Sequence, residues 1–210
     1  MRLYLSSFRL GDHPELLSSL VTGERRGWVI MNALDGQDEA RRTADTRIQL
    51  DQLAGIGLYA EDLDLRTVRP GTARERFGTP DFVWVRGGNV FVLRMALARS
   101  GLDQVLVDHL TDDRLVYAGY SAGPCVLAPS LAGLERCDPT EPCIAAYGSV
   151  RFDGLGILDR PFVPHLDSPG HPESSVLGEV AAAYEAAGQP YWALRDGQAL
   201  VIRGEQVTIT

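Results

Sequence analysis

The sequence contains no lysine, so all 20 of its basic residues are arginines. Several catalytic devices depend on a lysine amine, among them the phosphate-binding P-loop, the protein-kinase strand lysine, Schiff-base enzymes and Ser-Lys dyads. These classes are excluded for this chain. A nucleophilic serine, if the chain has one, would therefore take a histidine as its base.

Cysteine is also scarce, and no apolar run is long. The three cysteines, Cys125, Cys137 and Cys143, are odd in number and lack CxxC spacing, so neither a disulfide framework nor a zinc site is indicated. The apolar stretch Met1–Leu5 is too short for a signal peptide, and no run approaches the roughly 20 residues of a membrane span. We therefore expect free thiols, no membrane association and a cytoplasmic location.

Positive charge is in deficit, with 28 acidic against 20 basic residues and a net charge of −8. The isoelectric point near 5.0 disfavours nucleic acid or an anionic membrane as a partner and favours a small substrate. The 210 residues, 45% of them hydrophobic, suit one domain, residues 1–210, with a full core. Helix faces leave room for a homodimer, although the sequence has no direct signal for one.

Short apolar runs alternate with amphipathic segments, and this alternation predicts an α/β fold. Most of the runs are apolar throughout, which is typical of parallel strands covered on both faces. The predicted strands are 2–5, 28–31, 59–65, 82–85 and the run ending at Gly119, and the predicted helices are 12–20, 37–53, 90–98, 103–109 and 172–187. We expect three layers: a mainly parallel sheet, flanked by helices on both faces, with an antiparallel C-terminal edge.

The second half of the chain is less regular. Residues 132–160 carry Gly, Pro and Asp at irregular spacing, which predicts a long loop with one short strand at Ser149–Phe152. At the C-terminus we expect Tyr191–Leu194 to form a hairpin with Ala199–Ile202. A further strand is predicted at Val207–Ile209.

Residues Gly119-Tyr120-Ser121-Ala122-Gly123 have the Gly-x-Ser-x-Gly spacing of a nucleophile elbow. The strained backbone of such a turn needs small neighbours, because strand and helix approach each other closely there. Ser121 would then stand at the carboxyl end of a strand, beside helix N–H groups that favour an anionic transition state. The alternative is a tight strand-to-helix turn without a catalytic role.

Four histidines compete for the role of base. His13 and His109 are most simply surface residues on helices, and His171 lies in a Ser-Pro-Gly-His-Pro loop. His165 directly follows an apolar segment, so a sheet would hold its backbone, as a positioned base requires. The sequence thus favours His165.

The group that orients the imidazole should be a carboxylate. Asp196 follows an apolar strand, which would hold it at a strand end, whereas Asp167 is very close to His165 in sequence. An ordinary Asp-Gly turn is the alternative for Asp196. The pair Gly87-Gly88 lies between a strand and a helix, so its bare N–H groups could bind an oxyanion or belong to a flexible turn.

Four ordered motifs resemble peptidase E, the aspartyl dipeptidases of family S51, and their cyanophycinase relatives. These motifs are Val85–Asn89, Gly119–Gly123, Pro164-His165 and Leu194–Gly197, and Asn32–Asp35 and Leu63–Arg66 are also similar to that family. The resemblance implies a fold like that of class I glutamine amidotransferases, with serine in place of their cysteine. It implies Ser121 as nucleophile, His165 as base and Asp196 as the third residue. It also implies that the N–H groups of Gly88 and Ala122 form the oxyanion hole.

The substrate-binding residues depart from the family pattern. Aspartyl dipeptidases use an arginine after the catalytic histidine to bind the substrate's aspartate, and residues 166–194 contain no arginine. The candidates for substrate binding are therefore Asn89, Arg86, Arg151 and Arg195. One of these arginines could replace the missing one, and we expect a relaxed N-terminal specificity that still includes Asp-X.

Together these residues predict a serine exopeptidase that cleaves dipeptides or short peptides through an acyl-enzyme, without a metal or cofactor. His165 would take the Ser121 proton and pass it to the leaving amine, and the same imidazole would then activate water. Two alternatives stay open. One is an esterase with an α/β-hydrolase fold, whose carboxylate would lie between serine and histidine in sequence. The other is a non-catalytic protein that keeps the fold and binds peptides.

Overall fold

The computed structural model describes residues 1–210 and contains nine strands and eight α-helices. The strands are β1 (Arg2–Ser6), β2 (Arg26–Ile30), β3 (Tyr59–Asp62), β4 (Phe82–Val85), β5 (Val116–Tyr120), β6 (Phe162–Val163), β7 (Trp192–Ala193), β8 (Ala199–Arg203) and β9 (Gln206–Ile209). The helices are α1 (Pro14–Leu20), α2 (Glu39–Gly55), α3 (Ala73–Phe77), α4 (Val90–Ser100), α5 (Leu102–Thr111), α6 (Ala122–Cys125), α7 (Glu141–Tyr147) and α8 (Ser174–Ala186). None of these helices combines the length and the apolar character that crossing a membrane requires.

Seven strands form one sheet in the order β3-β2-β4-β5-β1-β8-β9. The five strands from β3 to β1 are parallel. Strands β8 and β9 extend the sheet in antiparallel register at its C-terminal edge. The predicted three-layer fold with a mainly parallel sheet is confirmed.

Strand β4 shows how the sheet separates two hydrophobic layers. Successive side chains of a strand point to opposite faces of the sheet. Val83 and Val85 therefore pack with residues of α4, α5 and α8, whereas Phe82 and Trp84 pack with residues of α1 and α2. All four side chains are fully buried, which explains why the run is apolar throughout.

The predicted strand at Ser149–Phe152 is wrong. Helix α7 occupies part of the predicted loop, and the segment after it contains only an isolated bridge between Ser130 and Asp153. Arg94 explains this arrangement, because its buried guanidinium donates to the Asp153 carbonyl at 2.8 Å and to the Asp153 carboxylate at 2.9 Å. A long-range ion pair, rather than a strand ladder, holds the segment.

The predicted C-terminal hairpin is also wrong. Strand β8 already has a partner on each side, since it pairs with β1 and β9. Strand β7 instead pairs in parallel with β6 in a separate two-stranded sheet. Because parallel strands end at the same edge, this pairing brings the residues after Val163 close to those after Ala193.

His109 was expected at the surface but is buried. It shares one face of α5 with four buried leucine and valine side chains, Leu102, Val105, Leu106 and Leu110. Its ring meets the Phe77 ring edge-on, with 5.3 Å between the ring centroids. Burial lowers the pKa of His109, so the ring is held neutral within this face.

Substitution of Gly119 by Ala is expected to reduce the free energy of unfolding by about 3 kcal/mol, because a Cβ there would lie 2.4 Å from the Val85 carbonyl oxygen. Chemical denaturation measures the change. Gly178→Ala in α8 is the matched control, since no heavy atom lies within 4 Å of its Cβ, and a gain of about 0.5–1 kcal/mol is expected. Equal effects of the two substitutions would contradict the close approach of β5 to Val85.

Candidate active site

Ser121 lies at the sharp turn between β5 and α6, where its backbone has φ 53° and ψ −113°. Such a conformation is rare for a side-chain-bearing residue and marks a strained turn. Gly119 and Gly123 make the turn possible, because a Cβ on either would lie 2.4 or 2.5 Å from the Val85 carbonyl oxygen. The elbow predicted from the Gly-x-Ser-x-Gly spacing thus has its geometric basis in close packing against β4.

His165 is buried and comes two residues after β6. Its Nδ1 lies 2.6 Å from Oδ1 of Asp196, which comes three residues after β7. The parallel pairing of β6 with β7 brings the two side chains together, and the backbone N–H of Leu166 reinforces it by donating to Leu194 at 3.0 Å. A carboxylate on Nδ1 places the ring proton there and leaves Nε2 free to accept another proton.

Ser7 joins this pair and was not predicted from the sequence. Its hydroxyl accepts the His165 backbone N–H at 2.8 Å and donates to the Asp196 carboxylate at 2.9 Å. Ser7 directly follows β1, so the central sheet itself holds both residues in place. On the other side, the Ser168 hydroxyl accepts the Asp196 backbone N–H at 2.8 Å.

The imidazole of His165 is shielded on one face by a second histidine. The His171 ring stacks on it with 3.6 Å between centroids and 5° between planes, and Phe8 meets both rings edge-on. Burial is the largest cause that lowers the pKa of His165, and the neighbouring His171 lowers it further, while the bond to Asp196 acts in the opposite direction. Because its pKa is lowered, His165 stays neutral at pH values at which an ordinary histidine is already protonated. A proton acceptor must be neutral in this way.

The loop after β4 supplies backbone N–H groups beside Ser121. Gly88 has φ 142°, and a Cβ there would lie 2.8 Å from the Ala33 carbonyl oxygen, so only glycine fits. No acceptor within the protein takes the N–H of Gly88. The N–H of Ala122 opens α6, where a helix offers it no partner.

Asn89 fixes this loop rather than leaving its side chain free. Its Oδ1 caps α4 by accepting the N–H groups of Phe91 and Val92 at 3.0 Å, and its Nδ2 donates to the Pro139 carbonyl at 2.7 Å. Its own N–H donates to Ala33 at 3.1 Å. All of its polar groups are thus engaged within the protein, which suits a role in positioning Gly88.

The segments Asn32–Asp35 and Leu63–Arg66, which also resemble the family, contact each other beside the loop that follows β4. Asn32 donates to the Asp35 carboxylate at 2.9 Å and accepts the N–H of Leu65 at 3.1 Å. Tyr147 also donates to Asp35. This buried network fixes Ala33, whose carbonyl supports the loop at Asn89.

Ser121, His165 and Gly88 line one cavity of about 550 Å³ at the carboxyl ends of the parallel strands. This is the edge at which open α/β sheets bind ligands. The Ser121 hydroxyl makes no hydrogen bond to His165 in this structure, and catalytic hydrogen bonds often form only when substrate binds.

Comparison with known proteins identifies the family. The model of peptidase family S51 matches residues 38–210. The chain belongs to peptidase family S51. It is therefore a hydrolase of peptide bonds, and the resemblance to family S51 drawn from the four motifs is confirmed.

Individual relatives of this S51 peptidase agree with the assignment. An uncharacterized peptidase of Listeria monocytogenes is 29% identical over 155 residues, which are 74% of this chain and 72% of that protein. Peptidase E of Streptomyces coelicolor is 32% identical over 153 residues, which cover 70% of this chain and 59% of that protein. A crystal structure assigned to peptidase E of Listeria monocytogenes matches the whole chain and 97% of its own, with a TM-score of 0.80 at 23% identity. The match to this crystal structure shows that the two chains have the same fold.

The arginines considered for substrate binding have different surroundings in this S51 chain. Arg86 lines the cavity, but its guanidinium donates to Asp45 at 2.8 Å and to the Gly87 carbonyl at 2.6 Å. Arg151 and Arg195 lie outside the cavity, where they pair with Asp153 and Asp167. Arg41, which the sequence analysis did not single out, lines the cavity and forms no ion pair.

Two groups of side chains in or near the cavity could be considered for a metal ion. The donor atoms of His165, His171 and Glu173 lie within 4.8 Å of one another, as do those of Cys137, Asp138 and Glu173. In the first group the rings are parallel and 3.6 Å apart, so one ion could not lie in both ring planes, where imidazole lone pairs point. In the second group the Asp138 carboxylate already accepts the Val90 N–H at 2.8 Å.

Asp138→Asn is expected to raise the Tm more at pH 8 than at pH 5. Burial, with help from Glu173, raises the pKa of Asp138 from 3.8 to about 7, although the Val90 N–H acts against this rise. Between pH 3.8 and about pH 7 the folded protein retains a proton that the unfolded chain has released. The free energy of unfolding therefore falls as the pH rises from 3.8 to about 7. Asparagine has no such proton and can still accept the Val90 N–H.

Thermal unfolding at the two pH values measures this difference. Asp51→Asn, at an exposed position of α2, is the control for a general charge effect. An equal change in Tm at pH 5 and pH 8 for Asp138→Asn would contradict the raised pKa.

Proposed function

We propose that this S51 peptidase is a serine exopeptidase that hydrolyses dipeptides or short peptides through an acyl-enzyme on Ser121. One observation carries the proposal: the buried His165, whose Nδ1 is bound by Asp196, shares the cavity with a serine held in a strained elbow. Strain of this kind persists where the surrounding structure enforces it, and it is typical of catalytic nucleophiles.

The proposed reaction begins with the attack of the Ser121 hydroxyl on the scissile carbonyl. Nε2 of His165 accepts the serine proton, and Asp196 stabilises the imidazolium that forms. The imidazolium then donates this proton to the leaving amine, which departs and leaves the acyl group on Ser121. Water then attacks the acyl-enzyme while His165 accepts its proton, and the imidazolium passes that proton to Oγ of Ser121 as the acyl group leaves as a free acid.

Two N–H groups would stabilise the oxyanion of both tetrahedral intermediates. The N–H of Gly88 has no acceptor in the protein, and that of Ala122 follows the nucleophile directly. Preorganised donors of this kind contribute because they need no reorientation as charge develops.

The order of these residues favours a peptidase over an α/β-hydrolase esterase. In that fold the carboxylate precedes the histidine in sequence. Here the carboxylate on Nδ1 of His165 comes from Asp196, 31 residues after it. Selectivity for an N-terminal Asp has little support, because Arg86 is engaged by Asp45 and Arg195 lies outside the cavity.

Labelling and hydrolysis together test the proposed function. A fluorophosphonate is expected to modify one serine, which mass spectrometry would locate in the peptide that contains Ser121. A panel of Asp-Leu, Leu-Leu, Met-Leu and Ala-Leu measures hydrolysis and its selectivity. Labelling without cleavage of any dipeptide, combined with turnover of simple esters, would favour the esterase. Dipeptide binding without labelling or turnover would favour a binding protein.

A further inference from the structure

Arg41 and Glu173 line the cavity beside Ser121, carry opposite charges and form no ion pair. Arg41 lies in the first turn of α2, with its backbone N–H bound to the Asp38 cap and its guanidinium free of any carboxylate. Glu173 lies just before α8, and its carboxylate forms no ion pair with an arginine. By contrast, the other cavity arginine, Arg86, is neutralised by Asp45.

These two charges reach the cavity from different elements of the fold. Along the sheet the order is β2, β4, β5, and Arg41 follows β2 while Ser121 follows β5. Glu173 belongs to the loop after β6, which also carries His165 and His171.

A dipeptide with free termini carries two charges that are complementary to Arg41 and Glu173. Its two residues span about 7 Å when extended, with an ammonium at one end and a carboxylate at the other. The scissile carbonyl lies between these charges. The cavity of about 550 Å³ holds a ligand of this size.

We propose that this site selects zwitterionic dipeptides, with Glu173 receiving the α-ammonium group and Arg41 receiving the α-carboxylate. The proposal rests on the function proposed above and adds the chemistry by which the site recognises its substrate. Asp138 stands next to Glu173, and burial raises the pKa of Asp138 to about 7, which weakens its competition for the ammonium group. A guanidinium binds a carboxylate through two parallel hydrogen bonds, which makes Arg41 the discriminating residue for the free C-terminus.

Capped substrates and charge-neutral variants test both contacts. The substrates are Ala-Leu, its C-terminal amide and its N-acetyl form, and the variants are Arg41→Gln and Glu173→Gln. Amidation is expected to lower kcat/KM of the wild type by about 10- to 150-fold, mainly through KM. Arg41→Gln should lower kcat/KM for Ala-Leu by a similar factor and have little further effect on the amide.

The contact between Glu173 and the α-ammonium group predicts a corresponding loss at the N-terminal end of the substrate. Acetylation and Glu173→Gln should each reduce kcat/KM, and the two losses should not add, because each removes the same interaction. Amidation and Glu173→Gln act on different ends of the substrate, so those losses should multiply. Arg47→Gln is the matched control, since Arg47 lies on the same helix, is exposed and does not line the cavity.

Failure of the inference can be told apart from failure of the proposed function. If the wild type cleaves Ala-Leu and its amide equally, or if Arg41→Gln behaves like Arg47→Gln, charge recognition is wrong while the peptidase stands. Calorimetric titration of the three peptides into the Ser121→Ala variant measures their binding in the absence of the reaction. Equal affinity for free and capped peptides there would overturn the inference whether or not the wild type turns them over.

Discussion

Asp196→Asn is expected to lower kcat for dipeptide hydrolysis by about 10⁴-fold, with a small change in KM. The carboxylate accepts the Nδ1 proton of His165 at 2.6 Å and thereby leaves Nε2 unprotonated. An amide nitrogen at the same place would donate to Nδ1 and move the ring proton to Nε2, which could then no longer accept the proton of Ser121. The loss falls on the chemical step because Asp196 reaches the substrate only through His165.

Asp167→Asn is the matched control for this prediction. Asp167 is two residues from His165 in sequence, but its carboxylate is exposed and pairs with Arg195 at 3.2 Å. Asparagine tolerates the positive φ of 48° at this position, so the loop should keep its shape. Steady-state kinetics of both variants decide the matter: a loss of similar size in Asp167→Asn, or nearly full activity in Asp196→Asn, would contradict the proposed triad.

The elbow is the part of the site that local sequence predicts best. Its requirements are short-range: a strand, a serine and small residues at fixed spacing. Gly119 and Gly123 are both explained by the one Val85 carbonyl that each approaches. The parallel strands are also predictable from the sequence, because β4 and β5 are buried on both faces and are therefore apolar throughout.

The pairing of His165 with Asp196 was predicted although the strand arrangement behind it was not. The sequence favours a hairpin between β7 and β8 because Asp196-Gly197 suits a turn. Two-residue strands such as β6 and β7 have no periodicity to read, and their pairing depends on which sheet edges are already occupied. The position of Asp196 at a strand end was sufficient in either arrangement.

Contacts between distant loops explain most of what the sequence did not indicate. Ser7 and Arg41 have unremarkable neighbours in sequence, and each joins residues from distant parts of the chain at the site. Arg41 and Arg42 are adjacent, yet Arg42 is buried against Asp62 and Arg41 faces the cavity. For His109, by contrast, a signal was present, since its spacing from Leu102, Val105 and Leu106 matches one helix face.

Ser121→Gly is expected to abolish peptidase activity and, at the same time, to stabilise the fold. Removal of the nucleophile should reduce kcat by about 10⁶-fold in both Ser121→Gly and Ser121→Ala. The backbone at φ 53° and ψ −113° costs a serine or alanine about 1–3 kcal/mol, whereas glycine adopts it without strain. Glycine's greater freedom in the unfolded chain offsets part of this gain, so a net increase of about 1 kcal/mol is expected.

Ser121→Ala separates the two effects, because it removes the hydroxyl but retains the strain. Chemical denaturation should therefore rank Ser121→Gly above Ser121→Ala, with the wild type close to the alanine variant. If Ser121→Gly were the least stable of the three, the turn would not be strained, and the physical argument for an elbow at Ser121 would fail even if activity were lost. Agreement of both measurements would tie the loss of activity to a site whose strain the surrounding glycines and Val85 impose.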